Sequence, residues 1–136
     1  RLRVENGAVM TEYETSSSDS GYRGIVHGGI AMTLMDEAMT WAAILATRAV
    51  CVAAEITTRF RRPMSVGSRY RIEGRTVRCD RRLVITEGLV LGPDGEEVAS
   101  SAGKYIPRRD VGVAAAEIEF AESVPPELGL QLASGP

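Results

Sequence analysis

Histidine and cysteine are nearly absent from this sequence of 136 residues, which has one histidine, His27, and two cysteines, Cys51 and Cys79. A structural zinc site needs several such ligands at short spacings, so no metal site and no cofactor are expected. The two cysteines form neither a metal-binding pattern nor a paired framework. We therefore expect free thiols in a reducing compartment, and a cytoplasmic location.

A strong charge of either sign is also lacking, because the formal net charge is only -2. Such a balance argues against a broad nucleic-acid footprint. The charges are unevenly placed, since all 16 lysines and arginines lie at or before Arg109, and only acids follow it. We expect one domain over residues 1–107 and an acidic C-terminal tail of uncertain structure over residues 108–136.

One apolar run, Gly28–Thr47, is long enough to span a bilayer. It carries Asp36 and Glu37 side by side near its middle. Each acid would cost a few kcal/mol inside a membrane. The run is therefore predicted to be a helix of a globular domain, and no membrane association is expected.

The remaining pattern predicts strands on both sides of this helix. Residues 2–15 are strand-like with a turn signal at Asn6-Gly7, and the Ser- and Gly-rich residues 16–26 indicate a loop. Four extended runs follow the helix, at residues 50–62, 68–79, 83–91 and 96–106. This order predicts an α+β domain with an antiparallel sheet.

Polar residues on the predicted helix fall in one narrow sector that contains Asp36 and, one turn later, Thr40. Two interpretations of Asp36 are open. It is either a structural acid bonded to Thr40 or facing solvent, or a carboxylate held in a dry site, where it becomes a better base. The absence of any basic residue on the helix favours the second interpretation.

The tripeptide His27-Gly28-Gly29 lies where the helix should begin. The first-turn amides of a helix are free donors at the positive end of its dipole, so this start can hold an anion or an oxyanion. His27 is either a packed or capping residue or a substrate contact. We keep His27 and Gly29 as candidate substrate-binding residues.

Several of these features occur together in one known family. The segment from Gly21 to Gly29, an acid nine residues after the histidine, the Arg-Arg-Pro of residues 61–63 and the Ala-Ser-Ser-Ala-Gly of residues 99–103 resemble the hotdog-fold acyl-CoA thioesterases of the phenylacetate-pathway type. The resemblance implies a long central α-helix wrapped by a curved antiparallel β-sheet. It also implies homodimers, possibly paired into dimers of dimers, that hydrolyse an acyl-CoA to a carboxylic acid and free CoA.

The resemblance also implies roles for three residues. Asp36 matches the acid that activates water or attacks the thioester, the Gly28 amide matches the group that polarises the carbonyl, and Thr40 matches an assisting hydroxyl. Gly28 and Asp36 are eight residues apart in the sequence. This spacing is about 12 Å along a helix axis. One thioester cannot touch both on one helix, so a shared site between two subunits is expected.

Three positions depart from the family pattern. Gly21 stands where many members have a carbonyl-binding Asn or Gln, and Ala53 and Ala54 stand where several have a Ser or Thr. These departures leave open a non-catalytic acyl-CoA binding or sensing module of the same fold. A hydratase or dehydratase on the same scaffold is the third alternative. It ranks last, because those enzymes normally pair a catalytic histidine with an acid in a different arrangement, whereas His27 belongs to the glycine turn.

Arginines near the end of one predicted strand are candidate contacts for CoA: Arg59, Arg61 and Arg62. A phosphate-rich carrier needs cations at the mouth of its pocket, and the arginine fork suits phosphate oxygens. A solvated sheet edge is the alternative explanation. The acyl group that such a site would accept is not determined by the sequence.

Overall fold

One long helix packs across a six-stranded antiparallel sheet in the computed structural model, which describes residues 2–110. The elements in chain order are β1 Arg3–Glu5, β2 Ala8–Glu14, a 3-10 turn Ser17–Asp19, β3 Ser20–Tyr22, β4 Ile25–Val26, α1 Gly28–Thr47, β5 Val50–Phe60, β6 Arg69–Cys79, β7 Val84–Leu91 and β8 Glu97–Arg108. The predicted α+β architecture is confirmed. The division into a domain of residues 1–107 and an acidic tail stays a prediction, since residues 111–136 lie outside the described part.

The large sheet has the strand order β1-β2-β6-β7-β8-β5. Each neighbouring pair is antiparallel. The predicted turn between β1 and β2 is confirmed, because Asn6 and Gly7 both have positive φ, at 51° and 76°. Within residues 2–110, β5 pairs on one side only and leaves its other edge open.

The loop predicted for residues 16–26 is more ordered than the sequence indicated. Its 3-10 turn is followed by the short hairpin of β3 and β4. The buried carboxylate of Asp19 anchors the segment, since the Tyr13 hydroxyl lies 2.9 Å from both of its oxygens. The Asp19 main-chain oxygen also accepts from the His27 N–H at 2.8 Å, which ties the loop to the start of α1.

Helix α1 has the bounds that the sequence predicts, and a close approach to the sheet fixes its position. Met35, Ala38 and Met39 have no exposed surface. Gly74 of β6 lies directly beneath them, and a Cβ atom there would collide with the main-chain carbonyl group of Ala38. Only glycine permits this approach of helix backbone to strand backbone.

By length and composition alone, α1 could cross a membrane. Its fully buried side chains instead face the sheet, as in the core helix of a globular domain. One side of the helix is open in this chain, because Met32, Thr33 and Glu37 are exposed. They lie on the face that the sheet does not cover.

Candidate active site

Asp36 is a half-buried acid held by two hydroxyl groups. Its Oδ1 accepts a hydrogen bond from Thr40 Oγ1 at 3.2 Å and a shorter one from Tyr105 Oη at 2.7 Å. Tyr105 lies on β8, and its hydroxyl is also 3.3 Å from the Asp36 main-chain oxygen. The structure therefore brings Asp36 and Thr40 together and adds Tyr105.

The Asp36 carboxylate lacks a cationic partner in the described part of the chain. Among residues 2–110, no lysine, arginine or histidine forms an ion pair with it. Burial, and then the hydrogen bond to Asp36, raise the pKa of Tyr105 well above its ordinary value. Tyr105 therefore stays a neutral donor at any physiological pH, and the carboxylate is held by hydroxyls.

The start of α1 offers a free amide. His27 is the N-cap residue, and its Nδ1 accepts from the Gly29 N–H at 3.2 Å. The Ile30 N–H is bonded to the His27 main-chain oxygen at 3.0 Å. Within the described residues, no acceptor is bonded to the N–H of Gly28, which is exposed. This amide can donate to an anion at the positive end of the helix.

The bond to His27 also limits the chemistry of this side chain. Because Nδ1 accepts a hydrogen bond, the neutral ring carries its proton on Nε2. His27 therefore acts as a helix cap, as one of its two predicted interpretations stated. A catalytic histidine paired with an acid, which a hydratase would need, has no counterpart in this arrangement among residues 2–110.

A cavity of about 290 Å³ opens beside the free amide. Its lining includes His27, Gly28, Phe60, Arg61 and Arg62. The Phe60 ring lies against Gly28, where a Cβ atom would be 3.3 Å from Phe60 Cζ. The structure thus brings two of the three candidate arginines to the start of α1.

The candidate arginines differ in their surroundings. Arg61 forms an ion pair with Glu97 of β8, whereas Arg62 is exposed and has no ion pair within the described residues. Arg59 lies elsewhere, in a separate trough of about 570 Å³ that it shares with Glu87 and Ser100. The structure therefore does not bring Arg59 to the Gly28 cavity.

Asp36 is not part of the lining of the Gly28 cavity. The two residues belong to one helix, eight positions apart, so their separation is about 12 Å along its axis. A single chain therefore holds the two candidate catalytic groups in different places. A thioester could contact both only if a second chain completed the site.

The three positions that depart from the family pattern, Gly21, Ala53 and Ala54, lie beside His27 or in β5 opposite β8. A Cβ atom on Gly21 would lie 3.3 Å from His27 Cδ2, so the histidine ring occupies the space beside this position. Ala53 lies directly opposite Tyr105 in the pairing of β5 with β8, and a bulge follows between Ala53 and Glu55. A hydroxyl reaches Asp36 from β8 although positions 53 and 54 carry alanine.

Sequence reasoning missed Tyr105 and Phe60. Tyr105 contacts Asp36 across 69 positions of the chain, and nothing local to either residue reports that contact. Phe60 had one signal, since it lies between the candidate arginines Arg59 and Arg61 at the end of a predicted strand. Only the antiparallel placement of β5 along α1 shows that its ring meets Gly28.

Solved structures share this fold. The protein smu.793 from Streptococcus mutans UA159, bound to acetyl CoA, is 23% identical with a TM-score of 0.74 and covers 79% of this chain and 87% of its own. Zebrafish thioesterase superfamily member 2 is 20% identical with a TM-score of 0.73, and 79% of each chain is covered. A mutant of the phenylacetic acid degradation protein PaaI from Thermus thermophilus is 24% identical with a TM-score of 0.72, covering 79% of this chain and 92% of its own.

These likenesses confirm the predicted hotdog fold. Curated proteins gave no sequence match. The family model described as thioesterase superfamily matches residues 23–99, a stretch that contains the free amide, Asp36, Thr40 and all three candidate arginines. By this match over more than half of its length, the chain belongs to the thioesterase superfamily.

Proposed function

We propose that this protein hydrolyses acyl-CoA thioesters to a carboxylic acid and free CoA, at a site shared between two subunits of a homodimer. One observation carries the proposal. Helix α1 presents a free Gly28 amide beside a cavity with arginines, and farther along it presents Asp36, whose carboxylate is held by hydroxyls. These are the two groups that hydrolysis of a thioester requires, a donor for the carbonyl oxygen and an acid for the nucleophile.

The chemistry divides between the two groups. Asp36 takes a proton from a water molecule as that water attacks the thioester carbonyl, or its carboxylate attacks directly and water then cleaves the mixed anhydride. The Gly28 N–H of the other subunit stabilises the negative charge that develops on the carbonyl oxygen. The carbon–sulfur bond breaks, and the CoA thiolate takes up the proton that the attacking water gave up, either from Asp36 or through solvent.

The open edge of β5 supports a dimer. This edge strand has 11 residues, and of these only Cys51 is buried. A long unpaired edge is a template for a further strand, and pairing with a second copy would cover it. Antiparallel pairing of the two β5 strands would place the two α1 helices side by side in opposite directions, so that each Gly28 approaches the partner's Asp36.

The cavity beside Gly28 supports CoA as the carrier. Arg61 and Arg62 line this cavity and can meet the phosphates of the nucleotide. His27 lines it as well, and the proposal keeps His27 and the neighbouring Gly29, whose N–H it caps, as substrate contacts. Proteins with the same fold bind such molecules, including smu.793 with acetyl CoA and a Streptococcus pneumoniae thioesterase protein with coenzyme A. A cytoplasmic location and a pairing of dimers remain part of the proposal.

A panel of short, medium, long and aryl acyl-CoAs tests the proposal, with release of free CoA followed by chromatography. Chromatography is preferable to a thiol reagent because the protein has an exposed thiol of its own at Cys79. The wild type should hydrolyse at least one member of the panel. Asp36→Asn is the matched control, since its side-chain oxygen can still accept from Thr40 and Tyr105 while the base is lost.

We expect Asp36→Asn to lower turnover about 10²- to 10⁴-fold, the range that general-base catalysis contributes. Equal hydrolysis by the variant would show that Asp36 is not the base. Saturable binding of acyl-CoA by the wild type without turnover would instead identify a binding or sensing module. Ala53 and Ala54, which offer no hydroxyl on β5, are the observation that favours this second candidate.

A further inference from the structure

Tyr105 is the largest side chain in the described chain that solvent does not reach. Its hydroxyl ends a ring surrounded by the core, so it must find a partner inside the protein. The partner is Asp36, at 2.7 Å from Oδ1. The hydroxyl of a core tyrosine thus donates its hydrogen bond to the acid of the proposed site.

The ring itself has little room to move. Gly103 lies two residues earlier on the same face of β8, and a Cβ atom there would come within 2.7 Å of Tyr105 Cε2 and 2.8 Å of Thr86 Oγ1. The Thr86 hydroxyl in turn donates to the Gly103 main-chain oxygen at 3.2 Å. The absence of a side chain at Gly103 leaves the space in which the Tyr105 ring lies. The position of the Tyr105 hydroxyl is therefore fixed relative to the sheet.

The two donors to Asp36 differ in where they are anchored. Thr40 belongs to the same helix as Asp36, so its hydrogen bond does not fix the acid relative to the sheet. Tyr105 belongs to β8, so its hydrogen bond ties the acid to the sheet. Both donate to Oδ1, and Oδ2 accepts no hydrogen bond from a residue of the described chain. The carboxylate is therefore held by one oxygen only.

We propose that Tyr105 is a positioning residue for Asp36. The Tyr105 hydroxyl fixes Oδ1 of Asp36 and so presents Oδ2 to the reacting water. This inference rests on the proposed function. Tyr105 does not exchange a proton in the reaction, and its effect is exerted through the orientation of the acid. A catalytic group displaced from its productive geometry loses much of its effect even when it remains in the site.

Tyr105→Phe tests the inference, because it removes one oxygen atom and keeps the ring in the same space. We expect kcat to fall on the order of 10- to 100-fold, the loss that a misplaced catalytic group produces. KM should stay within about twofold, since the substrate contacts are untouched. Thermal unfolding, followed by circular dichroism, checks that the variant is folded.

Tyr70→Phe is the matched control. It makes the same substitution at a second buried tyrosine, whose hydroxyl accepts from the Ser65 N–H at 2.8 Å and has no hydrogen bond with Asp36. It should lower the stability while kcat stays within about twofold of the wild type. An unchanged kcat in Tyr105→Phe, or an equal loss in Tyr70→Phe, would overturn the inference.

Two further readouts separate this inference from the proposed function. If both hydroxyls fix the same oxygen, the losses in Thr40→Val and Tyr105→Phe should not add in the double variant. Crystal structures of the wild type and Tyr105→Phe need no activity at all. If the wild type hydrolyses nothing, the proposed function is wrong, but the crystal structures still test the role of Tyr105. A second Asp36 rotamer in Tyr105→Phe supports positioning by Tyr105, and an unchanged rotamer refutes it.

Discussion

The two halves of the proposed site lie on one helix and are built in opposite ways. The half at Gly28 is local, because its neighbour His27 caps the adjacent amide and leaves the Gly28 N–H free. It is also exposed. The half at Asp36 is half-buried and depends on Tyr105, a residue 69 positions away. A carbonyl donor can be made from backbone alone, whereas an oriented acid needs the tertiary fold.

Mixing two inactive variants tests whether the two halves come from different chains. Asp36→Asn and Gly28→Pro subunits should each be nearly inactive alone. Co-refolded in equal amounts, they should recover about a quarter of wild-type turnover, because half of the dimers are mixed and each mixed dimer has one intact site of two. Turnover of the mixture, measured on the best acyl-CoA of the panel, is the readout.

The control mixture combines Asp36→Asn with Asp36→Ala, which cannot rebuild a site and should stay inactive. Failure of the first mixture to recover, with mixed dimers confirmed by native mass spectrometry, would contradict a shared site. Each subunit would then have to contain a complete site by itself.

A substitution at Gly28 tests the contribution of its backbone N–H. Gly28→Pro removes the N–H, and proline is well accepted at the first helical position. The preceding residue already has the extended conformation that proline requires, with φ -61° and ψ 133° at His27. We expect kcat to fall about 10²- to 10³-fold, as for loss of one oxyanion donor.

Gly28→Ala is the matched comparison for this prediction. It adds the same Cβ atom beside Phe60 but keeps the N–H, and the exposed Phe60 ring can shift to accommodate it. Its kcat should stay within about tenfold of the wild type. Equal losses in the alanine and proline variants would show that crowding at Phe60, and not the amide, is responsible.

The smallest effect concerns the cations at the cavity. Arg62 lines it and has no ion pair among residues 2–110, unlike Arg61, which is paired with Glu97. Arg62→Gln should therefore raise KM for acyl-CoA about three- to tenfold and leave kcat unchanged, as expected for loss of a ground-state phosphate contact. Arg81→Gln, in the exposed turn between β6 and β7, is the charge-matched control, and an equal change in its KM would refute a specific contact.

The sequence predicted the fold and the donor half of the site more completely than the acid half. The bounds of α1, the turn at Asn6-Gly7 and the order of strands along the chain follow from local patterns, and the structure agrees with them. The Gly28 amide could be singled out because His27 and Gly29, which shape the start of the helix, are its neighbours in the sequence. The Thr40 bond to Asp36 was also foreseeable, since the two residues are one helical turn apart.

The remainder depended on pairing between distant strands. Tyr105 reaches Asp36 because Gly103 makes room for its ring and because β8 passes beneath that part of α1. The anchoring of the 16–26 segment by Asp19 and Tyr13 has the same character, since side chains from separate elements meet there. The periodicity of hydrophobic residues contains no information on such meetings.

Gly74 has a consequence for the substrate. The helix backbone rests on this strand, and the fully buried Met35 and Met39 lie against Gly88 of the next strand, so protein fills this stretch of the contact between helix and sheet. An acyl tail would find no room between helix and sheet along this stretch. In the proposed homodimer, selection by chain length would then be set where the two protomers meet, and substitutions there should change it without disturbing the interior.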